Sequence, residues 1–196
     1  MKGTIHFCLE ETIKANHGDT AWEKVAKAAG HQADFSYGTK IRDDIDEVQS
    51  MELFVLAANT LGIQLSELFD EFGVHWCCEY SPRVYGVFYR NMTSTKEGVT
   101  KLDRLHETVT NHIENSYPPR FLYNWLGENE LELTYKSDRN LIDLFISLVK
   151  GLNKKFNDHT EIQKLSEQKV ILRFYDAPPS GKSHQQPEYS SAASTL

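Results

Sequence analysis

Two groups of residues are typed and spaced for chemistry. The first lies in "KLDRLHETVTNHI", where helical spacing puts Leu102, Leu105, His106, Val109 and Ile113 on one apolar stripe and the charges on the other side. An imidazole stands there where a leucine would pack. Such a histidine can be a core residue bonded to a backbone carbonyl, and a neutral imidazole in an apolar wall is also what an axial iron ligand requires. The second group is "YKSDR", in which Tyr135, Ser137 and Arg139 alternate. An extended backbone sets all three on one side at steps of roughly 6.6 Å. Two hydroxyls and a guanidinium fork suit one carboxylate or a pair of them. The local alternative is that Ser137 or Asp138 caps the helix that follows.

The two groups together fit iron-porphyrin, which needs a nitrogen for its metal, donors for its two propionates and an apolar slot for the ring faces. The other histidines add nothing to this. His112 falls off the stripe, and His6, His17, His31, His75, His159 and His184 have no HExxH or other paired-ligand spacing, so none suggests zinc. No activated nucleophile or pair of catalytic carboxylates forms a recognisable motif.

The elements that must position these residues differ between the halves of the chain. Residues 1–113 carry helical spacing almost throughout, as in Ile5, Leu9 and Ile13, or Leu65, Leu68, Phe69, Phe72 and Trp76. Asp19 and Ser66 occupy expected N-cap positions, and Gly30 and Gly62 expected helix stops. Beyond, "RFLYNWLGENELELTYK" reads as a hairpin turning at Gly127-Glu128-Asn129, with Leu131, Leu133 and Tyr135 on one face. Residues 140–156 return to helical spacing, and residues 160–165 and 169–176 read as a second hairpin. The order strand, strand, helix, strand, strand predicts an α+β architecture: an antiparallel sheet of about four strands on a helix, joined to a helical lobe.

Composition sets the outer limits. A chain of 196 residues, 40% of them hydrophobic, can bury one sizeable core, and a formal charge of -7 disfavours binding to nucleic acid. Three cysteines, with Cys77 and Cys78 adjacent, give neither a disulfide framework nor metal-ligand spacing and read as reduced thiols. The opening is too charged for a signal peptide, and no apolar run is long enough to span a bilayer, which predicts a cytoplasmic protein without a membrane anchor. Residues 177–196, rich in Pro, Ser and Gln, read as a disordered tail.

"LHETV", "YPPRF" and "YKSDR", with the opening "MKGTI" and "HGDTAWEKV", resemble the H-NOX family, the heme nitric oxide/oxygen binding domains related to the heme domain of soluble guanylate cyclase. The resemblance covers residues 1–176. It implies heme b (iron protoporphyrin IX) with His106 as proximal ligand, Tyr135, Ser137 and Arg139 as the propionate clamp, and Pro119 pressing on the porphyrin. It places Ile5 and Leu9 over the distal face. It implies a helical distal lobe and a proximal lobe carrying a four-stranded antiparallel sheet, with the heme between them. The function implied is gas sensing by a stand-alone protein that binds NO or CO and signals to a histidine kinase or a cyclic-di-GMP enzyme. Oxygen-binding members carry a distal tyrosine five residues after the clamp arginine, where this chain has Leu144. Trp76 and Tyr80 are the remaining distal donors within reach. The alternatives are a non-heme module that holds an anionic metabolite through the Tyr-Ser-Arg cluster, and a peroxidase-like iron enzyme.

Overall fold

The computed structural model describes residues 1–110, 118–137 and 141–175, the side chain of Val109 excepted. Arg139, Asp138, His112, Ile113 and the expected tail 177–196 lie outside the described residues. Eight α-helices are described: α1 (Gly3–His17), α2 (Asp19–Ala28), α3 (Glu47–Leu61), α4 (Leu65–His75), α5 (Ser81–Val84), α6 (Gly86–Tyr89), α7 (Thr95–Thr110) and α8 (Ile142–Phe156). The strands are β1 (Arg120–Trp125), β2 (Glu130–Lys136), β3 (His159–Ser166) and β4 (Lys169–Tyr175).

Local chemistry sets the helix ends. Asp46 caps α3 by accepting from the Val48 and Gln49 amides, and Gly62 ends it at φ 73°. Gly30, at φ 79°, follows the end of α2 as the sequence predicts. The two expected caps are displaced. Gly18 holds the cap of α2 because the tight turn out of α1 needs φ 86°, so Asp19 becomes the first helical residue. Helix α4 starts at Leu65, whose side chain packs on the core, which leaves Ser66 inside the first turn behind a Gln64 cap.

The sheet is antiparallel throughout, in the order β1-β2-β4-β3. Period-two alternation buries Leu131, Leu133 and Tyr135 of β2 with Val170, Leu172 and Phe174 of β4 on one face. Phe145 of α8 meets this face, 5.3 Å from Phe121 and 6.5 Å from Tyr135 between ring centroids. On its other side α8 packs against α4 so closely that a Cβ on Gly151 would stand 2.1 Å from the Gly73 carbonyl oxygen. Helix α8 is therefore the layer between the sheet and the helical lobe.

After α4 the chain makes a π-helical turn, Trp76–Tyr80, before α5. Phe72, Trp76 and Tyr80 stack in succession at 5.8 and 5.3 Å.

Candidate functional site

A cavity of about 340 Å³ opens where α1, α4, α7, α8 and the sheet meet. Its apolar wall includes Ile5, Phe72, Trp76, Leu102, Leu105, Phe121, Leu144, Phe145 and Leu148. His106 lines it, as do Pro118, Pro119 and Tyr135. Thus five of the eight sequence-selected site residues, Ile5, His106, Pro119, Tyr135 and Leu144, share one cavity wall. Leu9 is fully buried in the core and is not among the lining residues. A helix turns by about 40° between positions i and i+4, and that rotation carries Leu9 inward of Ile5.

His106 is only partly buried, and its surroundings settle its chemistry. Its Nδ1 lies 3.3 Å from the Pro119 carbonyl oxygen, and its ring tilts against Phe121 at 5.8 Å. A carbonyl only accepts, so Nδ1 carries the proton and Nε2 carries the lone pair. This is the tautomer that a metal-binding imidazole adopts when a backbone carbonyl orients it. Both readings made from the sequence, a carbonyl-bonded histidine and a ligand, are therefore compatible.

Helix α7 is tied to β1 one turn before this histidine. Asp103 accepts from Nε and Nη2 of Arg120 at 2.8 and 2.7 Å and from the Phe121 amide at 3.0 Å. The Arg120 guanidinium holds the Asp103 carboxyl below the usual carboxylate range. The Tyr123 hydroxyl donates to the Val99 carbonyl at 3.0 Å, and burial pushes its pKa up to about 12. The position of His106 and the edge of the sheet are mechanically one unit.

Of the three expected clamp residues, Tyr135 and Ser137 are among the described residues. Tyr135 is buried at the end of β2 and lines the cavity, whereas β2 ends at Lys136, so Ser137 lies just beyond the strand. Strand geometry does not continue across the whole motif. The N-cap position of α8 is Leu141, whose side chain makes no cap hydrogen bond.

Polar residues of the cavity that escaped the sequence reading include Thr4, Tyr85 and Tyr89. The Thr4 hydroxyl lies 2.7 Å from the Tyr80 hydroxyl. Tyr80 is buried and reaches the cavity only through Thr4. The Tyr89 hydroxyl lies 2.5 Å from Ser81 Oγ. Burial raises the pKa values of Tyr85 and Tyr89, so both remain neutral hydroxyls. "SPRVYGVFY" carries no periodic pattern that would have singled them out, because Pro82 and Gly86 break it into two single-turn helices.

A largely apolar cavity lined by an imidazole that a backbone carbonyl orients and by a tyrosine fits a heme. Among the described residues no cluster of three or more His, Cys, Asp or Glu is placed to hold a metal ion by itself.

The family model described as haem-NO-binding matches residues 2–164. Soluble guanylate cyclase gcy-37 of Caenorhabditis elegans is 28% identical over 160 residues, covering 79% of this chain. The chain spans 22% of the length of that relative. Among solved structures, an oxygen-binding H-NOX domain related to soluble guanylate cyclases superposes with TM-score 0.76 at 20% identity, covering 90% of this chain and 96% of that one. A mutant of the T. tengcongensis H-NOX gives TM-score 0.73 at 21% identity, over 90% and 99% of the two chains.

Proposed function

Because the chain belongs to the haem-NO-binding family, we propose that it holds heme b in the cavity around His106 and acts as a nitric oxide sensor, not an enzyme, signalling to a separate partner protein. The observation that carries this reading is the Nδ1-protonated His106, oriented by the Pro119 carbonyl inside an apolar cavity. Bound heme would supply a ferrous centre able to take a diatomic gas such as NO or CO. His106 would be its axial ligand, Tyr135, Ser137 and Arg139 would bind the propionates, and Pro119 would press on the ring. Ile5 and Leu144 would pack on the opposite face, with Leu9 backing Ile5 from the core.

The same geometry suggests how a signal leaves the cavity. While His106 is held in place, α7 is pinned both at Pro119 and at the Asp103–Arg120–Phe121 contacts. A bound heme would add a third anchor through His106, and loss of that bond would leave α7 held by the Pro119 and Asp103 contacts alone, freer to shift against β1. The coupling this asks for is about 1–3 kcal/mol, the usual size of a linkage between two sites. Among the described residues no helix is long and apolar enough to cross a membrane. A cytoplasmic location, with a histidine kinase or a cyclic-di-GMP enzyme as partner, completes the proposal.

One absorption spectrum of the purified protein tests the cofactor, since a strong Soret band must be present. His106→Gly is expected to keep its fold and lose the axial bond, with added imidazole restoring it. Unchanged ligation in that variant would assign another residue. Arg139→Ala should cost more heme affinity than Arg104→Ala, because Arg104 is exposed on α7. Equal losses would remove Arg139 from the clamp.

A further inference from the structure

A second, larger concavity of about 1070 Å³ lies on the helical lobe, outside the heme cavity. One wall is α3, where Val48, Met51 and Val55 fall at i, i+3 and i+7 and run for about 10 Å along the helix, with Asn59 one turn further on. Val48 is 64% and Val55 43% exposed, so the wall is an apolar ridge without cover among the described residues. The rim carries Asp43, Asp44, Asp46, Glu47 and Glu52, with Lys40 as the one cation among the described lining residues. Lys2 and the α-amino group offset Asp44 and Glu47. Lys40 lies over the Phe35 ring, 5.4 Å from its centroid. The mouth is left negative through Asp43, Asp46 and Glu52.

The wall opposite α3 holds a second, independent feature. His6 lines the groove, is 1% exposed, and has no well-formed hydrogen bond at either ring nitrogen. The Lys2 backbone is near enough to oppose the effect of burial slightly, without the alignment of a hydrogen bond. Tyr37 and His31 stand beside it, with the His6 and Tyr37 rings 5.0 Å apart. A buried neutral imidazole offers one donor and one acceptor that the protein itself leaves unused.

We propose that this groove docks a basic amphipathic helix of the signalling partner. An apolar ridge at helical spacing receives the apolar face of such a helix, the acidic rim receives its lysines or arginines, and His6 receives a polar side chain at the floor. The placement also connects docking to the heme cavity. Ile5 lines that cavity while its neighbour His6 lines the groove, and Asp44 and Glu47 border both. A displacement of α1 would be felt on the two sides at once. The identity of the occupant as a signalling partner rests on the sensor reading, whereas the groove does not.

The test uses the full chain, loaded with heme, and a fluorescein-labelled amphipathic Leu/Lys helical peptide followed by anisotropy. Binding is expected with Kd of about 1–100 µM. Val55→Arg and, separately, Val48→Arg should weaken it at least about tenfold, while Leu122→Arg, the same charge change at an exposed sheet position, should leave it within about twofold. Circular dichroism of each variant checks the fold. Absence of binding, or equal weakening by Leu122→Arg and Val55→Arg, overturns the proposal. A wild-type dimer in sedimentation that Val55→Arg converts to monomer also overturns it, since a second copy would then fill the groove. Loss of the Soret band with peptide selectivity intact would instead sink the heme reading and leave the groove standing.

Discussion

At the scale of single residues, the gas bound turns on which hydroxyls can reach a ligand. Bound oxygen carries partial negative charge and depends on a distal donor, whereas NO and CO bind adequately beside apolar groups. Leu144 offers none, and several hydroxyls that border the cavity are engaged: Thr4 with Tyr80, Tyr89 with Ser81, and Thr110 with the His106 carbonyl. The ferrous protein should form NO and CO complexes and no stable oxygen complex in air. A persistent oxy spectrum would contradict this and make Tyr85→Phe the next variant, because Tyr85 puts a neutral hydroxyl-bearing side chain on the cavity wall. His6 yields a separate prediction. Burial lowers its pKa from 6.5 to about 4, aided slightly by the α-amino charge and opposed by the Lys2 backbone. Between those values the unfolded chain binds a proton that the folded chain does not. Stability therefore falls as pH drops below about 6.5, with a deficit on the order of 3 kcal/mol once pH reaches about 4. His6→Phe should flatten that part of the profile relative to wild type, measured as thermal midpoint against pH. An unchanged slope would assign the acid sensitivity to other groups.

At the scale of elements, Asp103 is the joint between α7 and β1. Its removal strips the buried Phe121 of the acceptor for its amide and releases Arg120. Asp103→Ala should cost about 1–2 kcal/mol and lower the thermal midpoint by about 3–6 °C. Arg120→Ala leaves the amide bond in place and should cost clearly less, so equal losses would show that the ion pair, not the amide, holds the joint. The sequence made some of this legible and not the rest. Strand alternation in "ELELTYK" placed Tyr135 correctly on the buried face, and the leucine stripe placed His106 on the cavity wall. Period counting describes one element at a time. It carried Ser137 along as if β2 continued, and it could not see that Pro119, thirteen residues away, would orient His106. Thr4 was missed for the same reason: its bond to Tyr80 joins α1 to the π turn, a contact between elements that no local spacing encodes.

At the scale of the whole molecule, the helical lobe and the sheet lobe meet where α4 crosses α8, and glycines make the crossing possible. A Cβ on Gly73 would stand 2.2 Å from the Ser147 carbonyl oxygen, and one on Gly151 would stand 2.1 Å from the Gly73 carbonyl oxygen. In both cases the obstacle is backbone, so no rotamer change relieves it and one helix must move. Beside the crossing, Asp70 of α4 accepts from Ser147 Oγ at 2.6 Å and from Lys150 of α8, which fixes the register of the two helices. Cys77 lies at the same junction, its Sγ 3.4 Å from the Leu148 carbonyl oxygen, and it also borders the cavity around His106. A forced separation at Gly73 must therefore change the cavity as well as the stability. Gly73→Ala is expected to cost about 1–3 kcal/mol by overpacking, or about 2–12 °C in thermal midpoint, and to shift the Soret maximum of the heme-loaded protein. Gly86→Ala supplies the control: no atom lies within 4 Å of its added Cβ, and its φ lies outside the left-handed range. Removing backbone freedom from the unfolded chain should leave that variant neutral or more stable by up to about 1 kcal/mol. If Gly73→Ala matches Gly86→Ala in both midpoint and spectrum, the two lobes are not held at this crossing.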